Sequence, residues 1–185
     1  CTHKLFLPLL YKLSNGVSFH SRACPRFDIP HSMWYTLPTI NWEVSSMTLF
    51  SPADAIGSVC TLALLLEVSA TPKPGLVDRL GNGAHNDMDF STFLSSAAAI
   101  APYFSACAKA GTELPALDGA ALARIRPLGV QCDQVMLAAA KGANTHKGAI
   151  FSLGILACAA GFLHREGDLS PAAVCAAAAI IAAPA

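Results

Sequence analysis

Ionisable side chains are sparse in this chain: Asp, Glu, Lys and Arg make up 13% of its 185 residues. Glu67, Lys73, Asp78, Arg79, His85 and Asp87 nevertheless crowd into one stretch. It runs Glu67-Val68-Ser69-Ala70-Thr71-Pro72-Lys73-Pro74-Gly75-Leu76-Val77-Asp78-Arg79 and continues Leu80-Gly81-Asn82-Gly83-Ala84-His85-Asn86-Asp87-Met88. Prolines and glycines restrict the backbone around these groups, which is how a loop holds convergent side chains in place. Lys73 and Arg79 suit phosphate oxygens, the lysine as a point charge and the arginine as a planar fork. Asp78 and Asp87, with Glu67, are candidate oxygen ligands for magnesium. His85 is a candidate for proton transfer. A solvated connection between helices, with Asp87 or Asp89 capping the next one, accounts for the same residues.

A second polar cluster is Lys141-Gly142-Ala143-Asn144-Thr145-His146-Lys147-Gly148. It separates two apolar stretches. Asn144 or Thr145 is placed to cap the helix that follows, whose free backbone N–H groups form an anion site. Lys147 adds positive charge beside them. The spacing is not that of a Walker A loop. A capping turn with a surface lysine is an equally good reading.

The elements that must position these loops are helical. Ser51-Pro52-Ala53-Asp54 is a helix start, with Ser51 as cap, Pro52 in the first turn and Asp54 complementing the dipole. Ile56, Val59, Ala63 and Leu66 recur at helical spacing, and Pro72 and Pro74 forbid continuation. A second helix is predicted over 89–109, ended by Gly111 and kinked or split at Pro102. A third is predicted over 117–140, broken near Pro127 and Gly129. A fourth covers 146–164, and Ser170-Pro171 starts a fifth. No stretch alternates with period two. The expected fold class is all-α, a multi-helix domain with its site in polar inter-helix loops. Residues 47–185 form that domain, and residues 1–46 are an unassigned N-terminal extension without a motif. The alanine-rich pattern reaching Ala185 suggests a domain cut short at its C-terminus.

Composition narrows the function classes. Hydrophobic residues reach 54%, too many for a disordered chain. Twelve basic and twelve acidic residues give a formal net charge of zero, so there is no broad positive field for nucleic acid. The apolar run 149–162 is too short to cross a bilayer. Seven cysteines, none in a Cys-x-x-Cys pair, match neither a zinc site nor a disulfide framework. They fit a reducing, cytoplasmic setting in which buried thiols act as small hydrophobes.

The long motif Glu67–Met88 resembles one signature of the triphosphoribosyl-dephospho-CoA synthase family. Asn144-Thr145-His146-Lys147-Gly148-Ala149-Ile150-Phe151-Ser152-Leu153-Gly154 resembles its second, and Ile125-Arg126-Pro127-Leu128-Gly129 resembles the stretch between. The resemblance covers about 51–185 and implies a helical transferase. ATP and 3'-dephospho-CoA would give 2'-(5''-triphosphoribosyl)-3'-dephospho-CoA and adenine. That product is the prosthetic-group precursor of the citrate lyase acyl carrier protein, or of its malonate decarboxylase counterpart. A downstream acyl carrier protein transferase system would use it.

That chemistry sets three needs. The triphosphate must be neutralised, by Lys73, Arg79 and Lys147 with Asn144, Thr145 and magnesium on Asp78 and Asp87. A carboxylate among Glu67, Asp78 and Asp87 should stabilise an oxocarbenium-like centre or activate the 2'-hydroxyl. His85 or His146 should protonate departing adenine. The rival readings are an inactive nucleotide-binding fragment of the family, and a helical metal-dependent phosphohydrolase using His85, Asp87 and His146.

Overall fold

The computed structural model describes residues 51–183, which form five helices and no strand. They are α1 (Pro52–Ser69), α2 (Phe90–Thr112), α3 (Ala120–Ala139), α4 (Lys147–His164) and α5 (Pro171–Ala182). The all-α expectation holds. The expectation for residues 1–46 lies outside the described residues.

Local chemistry explains the helix starts. Ser51 accepts from the Asp54 amide, and Asp54 returns a bond to the Ser51 amide, a capping box. Asp89 and Thr92 form the same reciprocal pair before α2. Ser170 caps α5 ahead of Pro171. The structure departs from the sequence expectation at the end of α2, which runs on to Thr112, and at Pro127 and Gly129, where α3 does not break. Gly111 does not terminate α2 but lies inside it, where an added Cβ would collide with the Cys158 carbonyl of α4. Pro102 and Pro127 both sit within continuous helices and both face solvent. On an exposed face, water can satisfy the carbonyl each proline leaves unpaired.

The core is built around α2, which packs against α1, α3 and α4, while α5 lies on α4. Phe104, Ile100, Leu64, Leu153, Met136 and Ile181 are its largest fully buried side chains. Small residues let backbones approach: a Cβ on Gly161 would strike the Ala108 carbonyl, and one on Gly57 would strike Ser105. Cys60, Cys107, Cys132 and Cys158 are free, buried thiols. Burial pushes their pKa values up, to about 12 for the first three and about 11 for Cys158. They are therefore uncharged packing groups, as expected from their apolar settings. Helices α1 and α4 are long and apolar enough to cross a membrane by length and composition alone. Helix α4 extends beyond the short run 149–162 considered from sequence, and both helices contribute buried residues to the core around α2.

Candidate functional site

Residues 70–89 connect α1 to α2, and Asp78 holds this loop together. Its side chain is buried, with 6% of its surface exposed. One carboxylate oxygen accepts from the Thr71 hydroxyl at 2.8 Å and the Lys73 amide at 2.8 Å. The other accepts from the Leu80 amide at 2.7 Å and the Gly81 amide at 3.1 Å. The Asp78 amide in turn donates to the Gly81 carbonyl at 3.0 Å. Hydrogen bonds from the Lys73 and Leu80 amides, then from Thr71, hold its carboxyl at a pKa of about 2. The carboxylate is charged, inward-facing and fully engaged.

The rest of the loop folds back on this knot. Gly83 has φ +58°, and a Cβ there would lie 2.6 Å from the backbone of Gly75 and Leu76. Only glycine allows both the conformation and the approach. Lys73 reaches Glu67, on the last turns of α1, with Nζ 3.0 Å from Oε1. Both side chains are largely covered, at 11% and 19% exposure. His85 and Asp87 make a looser, open pair at 3.7 Å. Arg79 is exposed and makes no ion pair among the described residues.

The second loop, between α3 and α4, turns at Lys141 and Gly142, both at positive φ. The Gly142 amide donates to the Leu137 carbonyl at 2.7 Å, closing the end of α3. The cap position of α4 falls on His146, not on Asn144 or Thr145 as expected, and no side chain caps it; Asn144 Oδ1, two residues earlier, accepts from the Lys147 amide at 3.3 Å and so steadies the turn into the helix. Lys147 itself is exposed on the first turn. Thr145 and His146 turn the other way, into the protein. His146 is buried, at 5% exposure, with its ring edge-on to Phe93 at 5.1 Å between centroids. Its amide donates to Met136 Sδ. Its Nδ1 lies 2.9 Å from Ser96 Oγ and 3.1 Å from Thr145 Oγ1, and the Thr145 hydroxyl donates to Ser96 at 2.7 Å. Burial lowers the pKa of His146 to about 4, so the ring is neutral near pH 7.

A small apolar cluster joins the two loops. Val77 and Met88 of the first are buried against Ala140 and Ala143 of the second, with Phe90 and Phe93 packed alongside. The two polar stretches therefore share one end of the bundle, as a common site requires. Sequence reasoning missed Ser96, Phe93 and Thr71. Ser96 follows Ser95 and leads into an alanine-rich helical stretch with no ionisable group nearby, so only the fold reveals its partners. Thr71 stood inside the first motif, and its position seven residues before Asp78 was the available signal.

The fit to magnesium divides the two predicted ligands. Asp78 has four donors on its two oxygens and does not fit. Asp87 is open to an incoming ligand, its side chain being 63% exposed. No group of three or more metal-ligating side chains gathers among the described residues. That is compatible with a magnesium site completed by substrate phosphates, the usual arrangement for this ion.

Residues 53–183 match the model of the ATP:dephospho-CoA triphosphoribosyl transferase family. Curated relatives agree. A probable 2-(5''-triphosphoribosyl)-3'-dephosphocoenzyme-A synthase of Lactiplantibacillus plantarum is 51% identical over 113 residues, covering 60% of this chain and 40% of the relative. One from Albidiferax ferrireducens is 50% identical over 125 residues, 66% of this chain and 41% of the relative. One from Vibrio cholerae is 45% identical over 128 residues, 69% and 41%. The aligned part of this chain thus spans about two fifths of the length of these relatives. No solved structure gives a significant match. Because that family model matches residues 53–183, most of this chain, the chain belongs to the ATP:dephospho-CoA triphosphoribosyl transferase family.

Proposed function

We propose that this chain transfers the triphosphoribosyl group of ATP to the 2'-hydroxyl of 3'-dephospho-CoA and releases adenine. The observation that carries the reading is the apolar cluster of Val77, Met88, Ala140 and Ala143, which keeps both signature loops at one end of the bundle. In the proposed site Arg79, Lys147 and the amides at the start of α4 bind the triphosphate. Asn144 steadies the turn into that helix, and Thr145 holds the same turn from within. Lys73, already paired with Glu67, offers its remaining N–H donors at lower net charge. Asp87 holds magnesium brought in with the triphosphate, which would offset phosphate charge.

Proton balance assigns the remaining roles. The attacking hydroxyl loses one proton and departing adenine gains one. His85, open to solvent and paired with Asp87, suits this exchange. His146 is neutral and buried, so it serves as a hydrogen-bonding group, not as the acid. Asp78 is a positioning residue that shapes the loop carrying Arg79. The product fits the prosthetic-group precursor of citrate lyase or malonate decarboxylase, used by an acyl carrier protein transferase system. The free buried thiols fit a cytoplasmic setting.

The test is incubation with ATP, magnesium and 3'-dephospho-CoA, followed by mass analysis of products. Adenine plus a triphosphoribosyl adduct is expected. Inorganic phosphate with adenine retained on the nucleotide would instead mark a phosphohydrolase. Saturable ATP binding without turnover would mark a binding fragment.

A further inference from the structure

We propose that Lys141 is a phosphate-binding residue, a third cation that holds the triphosphate of ATP together with Arg79 and Lys147. The identity of the ligand as ATP rests on the proposed transfer reaction; the polyphosphate site does not.

The backbone at Lys141 is the first reason. Helix α3 is capped by Ala140, and the next residue, Lys141, takes a left-handed conformation at φ +54°. Glycine is the usual residue just past a helix end, since a Cβ in that conformation is strained. Gly142 follows at φ +93°, and the other positive φ angles among the described residues also fall on glycines, at Gly75, Gly83 and Gly167. Lys141 is the exception. Its side chain is exposed and makes no ion pair among the described residues, so no charged partner within them accounts for a lysine there.

Placement is the second reason. Ala140 and Ala143 flank Lys141 and Gly142 and belong to the apolar cluster that joins the two loops, as does Val77. Lys141 leaves the backbone one residue from this joint and Arg79 two residues from it, at most about 8 Å of chain. Open space lies beside both loops: a Cβ on Gly142, Gly148, Gly75 or Gly81 would meet nothing within 4 Å. The backbone around the two cations is thus accessible to an incoming group.

Charge is the third. At this end of the bundle Glu67, Asp78, Asp87 and Asp89 stand against Lys73, Arg79, Lys141 and Lys147. Four acids and four bases cancel. Without Lys141 the same end is net negative and repels a polyphosphate. Lys73 is already taken by Glu67, which leaves Arg79, Lys141 and Lys147 without an acidic partner among the described residues. Of these, Lys141 sits closest in sequence to the joint between the loops.

Titration calorimetry with inorganic tripolyphosphate, and with ATP, tests the assignment without requiring turnover. Lys141→Asn removes the charge and keeps a residue that tolerates left-handed backbone. It should weaken binding of both compounds about fivefold to tenfold, and Lys141→Arg should keep it near wild type. Lys109→Asn, about 29 Å along α2 from Phe90, should leave binding unchanged. Full affinity in Lys141→Asn, an equal loss in Lys109→Asn, or a wild-type chain that binds neither compound would overturn the proposal. Thermal melts separate binding from a purely structural role. Lys141→Gly should melt at or above wild type, because it relieves the left-handed strain. A lower melting temperature with unchanged tripolyphosphate affinity would mean that the lysine only neutralises the C-terminal end of α3, and would also overturn it. Binding that depends on Lys141 without release of adenine would leave the site standing and reject the proposed transfer.

Discussion

Asp78 and His146 are both buried, yet their surroundings drive them to opposite charge states. Asp78 meets four donors and stays ionised; His146 meets two hydroxyls and an aromatic edge and stays neutral. Their pH signatures fall in separate windows. His146 has a folded pKa of about 4 against 6.5 as the ordinary value, so the unfolded chain binds more protons between them. Its neutral state therefore stabilises the fold fully above pH 6.5, and that contribution is lost as pH falls towards 4. The loss is on the order of 3 kcal/mol. Urea titrations at pH 7, 5.5 and 4.5 should show it, and His146→Gln should flatten the slope. Asp78, depressed to about 2 from an ordinary 3.8, acts lower: its contribution is present above pH 3.8 and lost towards pH 2. Asp78→Asn turns an NH2 group towards backbone donors. We expect a loss of transfer activity on the order of 10²-fold through misplaced loop groups, with helical circular dichroism intact. Wild-type turnover in that variant would remove Asp78 from the site. The sequence marked both residues as chemically capable. It did not show that Asp78 faces inward, because its partners are amides whose direction depends on the completed turn.

At the scale of elements, the sequence carried helix starts well and helix interiors less well. Ser51, Asp89 and Ser170 announce their helices through local side-chain bonds, which are legible from neighbours in the chain. Gly111 and the two interior prolines were misleading because tertiary context decides their meaning. Gly111 and Gly161 are a matched pair at the α2–α4 crossing, each facing a carbonyl on the opposite helix. Glycine lowers helix propensity, so its presence in both helices marks a demand for close approach. Gly161→Ala should improve propensity locally yet destabilise the protein by about 1–3 kcal/mol, because a methyl group must displace backbone. Gly148→Ala meets open space and serves as the control, so thermal melts should separate the two. Equal melting temperatures would mean the crossing is looser than described.

For the whole molecule, what matters is that two loops far apart in sequence act as one unit. Their polar residues touch little directly; the link is the apolar patch of Val77, Met88, Ala140 and Ala143. None of those four residues carries chemistry, and none stood out in the sequence except as filler between charged positions. Met88 is the most telling of them, since it immediately precedes the Asp89 cap and plugs the first loop against the second. Met88→Ala should leave the bundle folded, because the large core around Phe104, Ile100 and Leu153 lies elsewhere. The cavity should cost about 2 kcal/mol or more, borne mainly by the loops. Hydrogen exchange should then speed up at the Lys73, Leu80 and Gly81 amides while central α2 amides keep their protection. If transfer needs both loops held together, KM for ATP should rise together with that exchange. Faster exchange with unaltered kinetics would mean that the loops bind substrate independently, and the shared site would have to be abandoned.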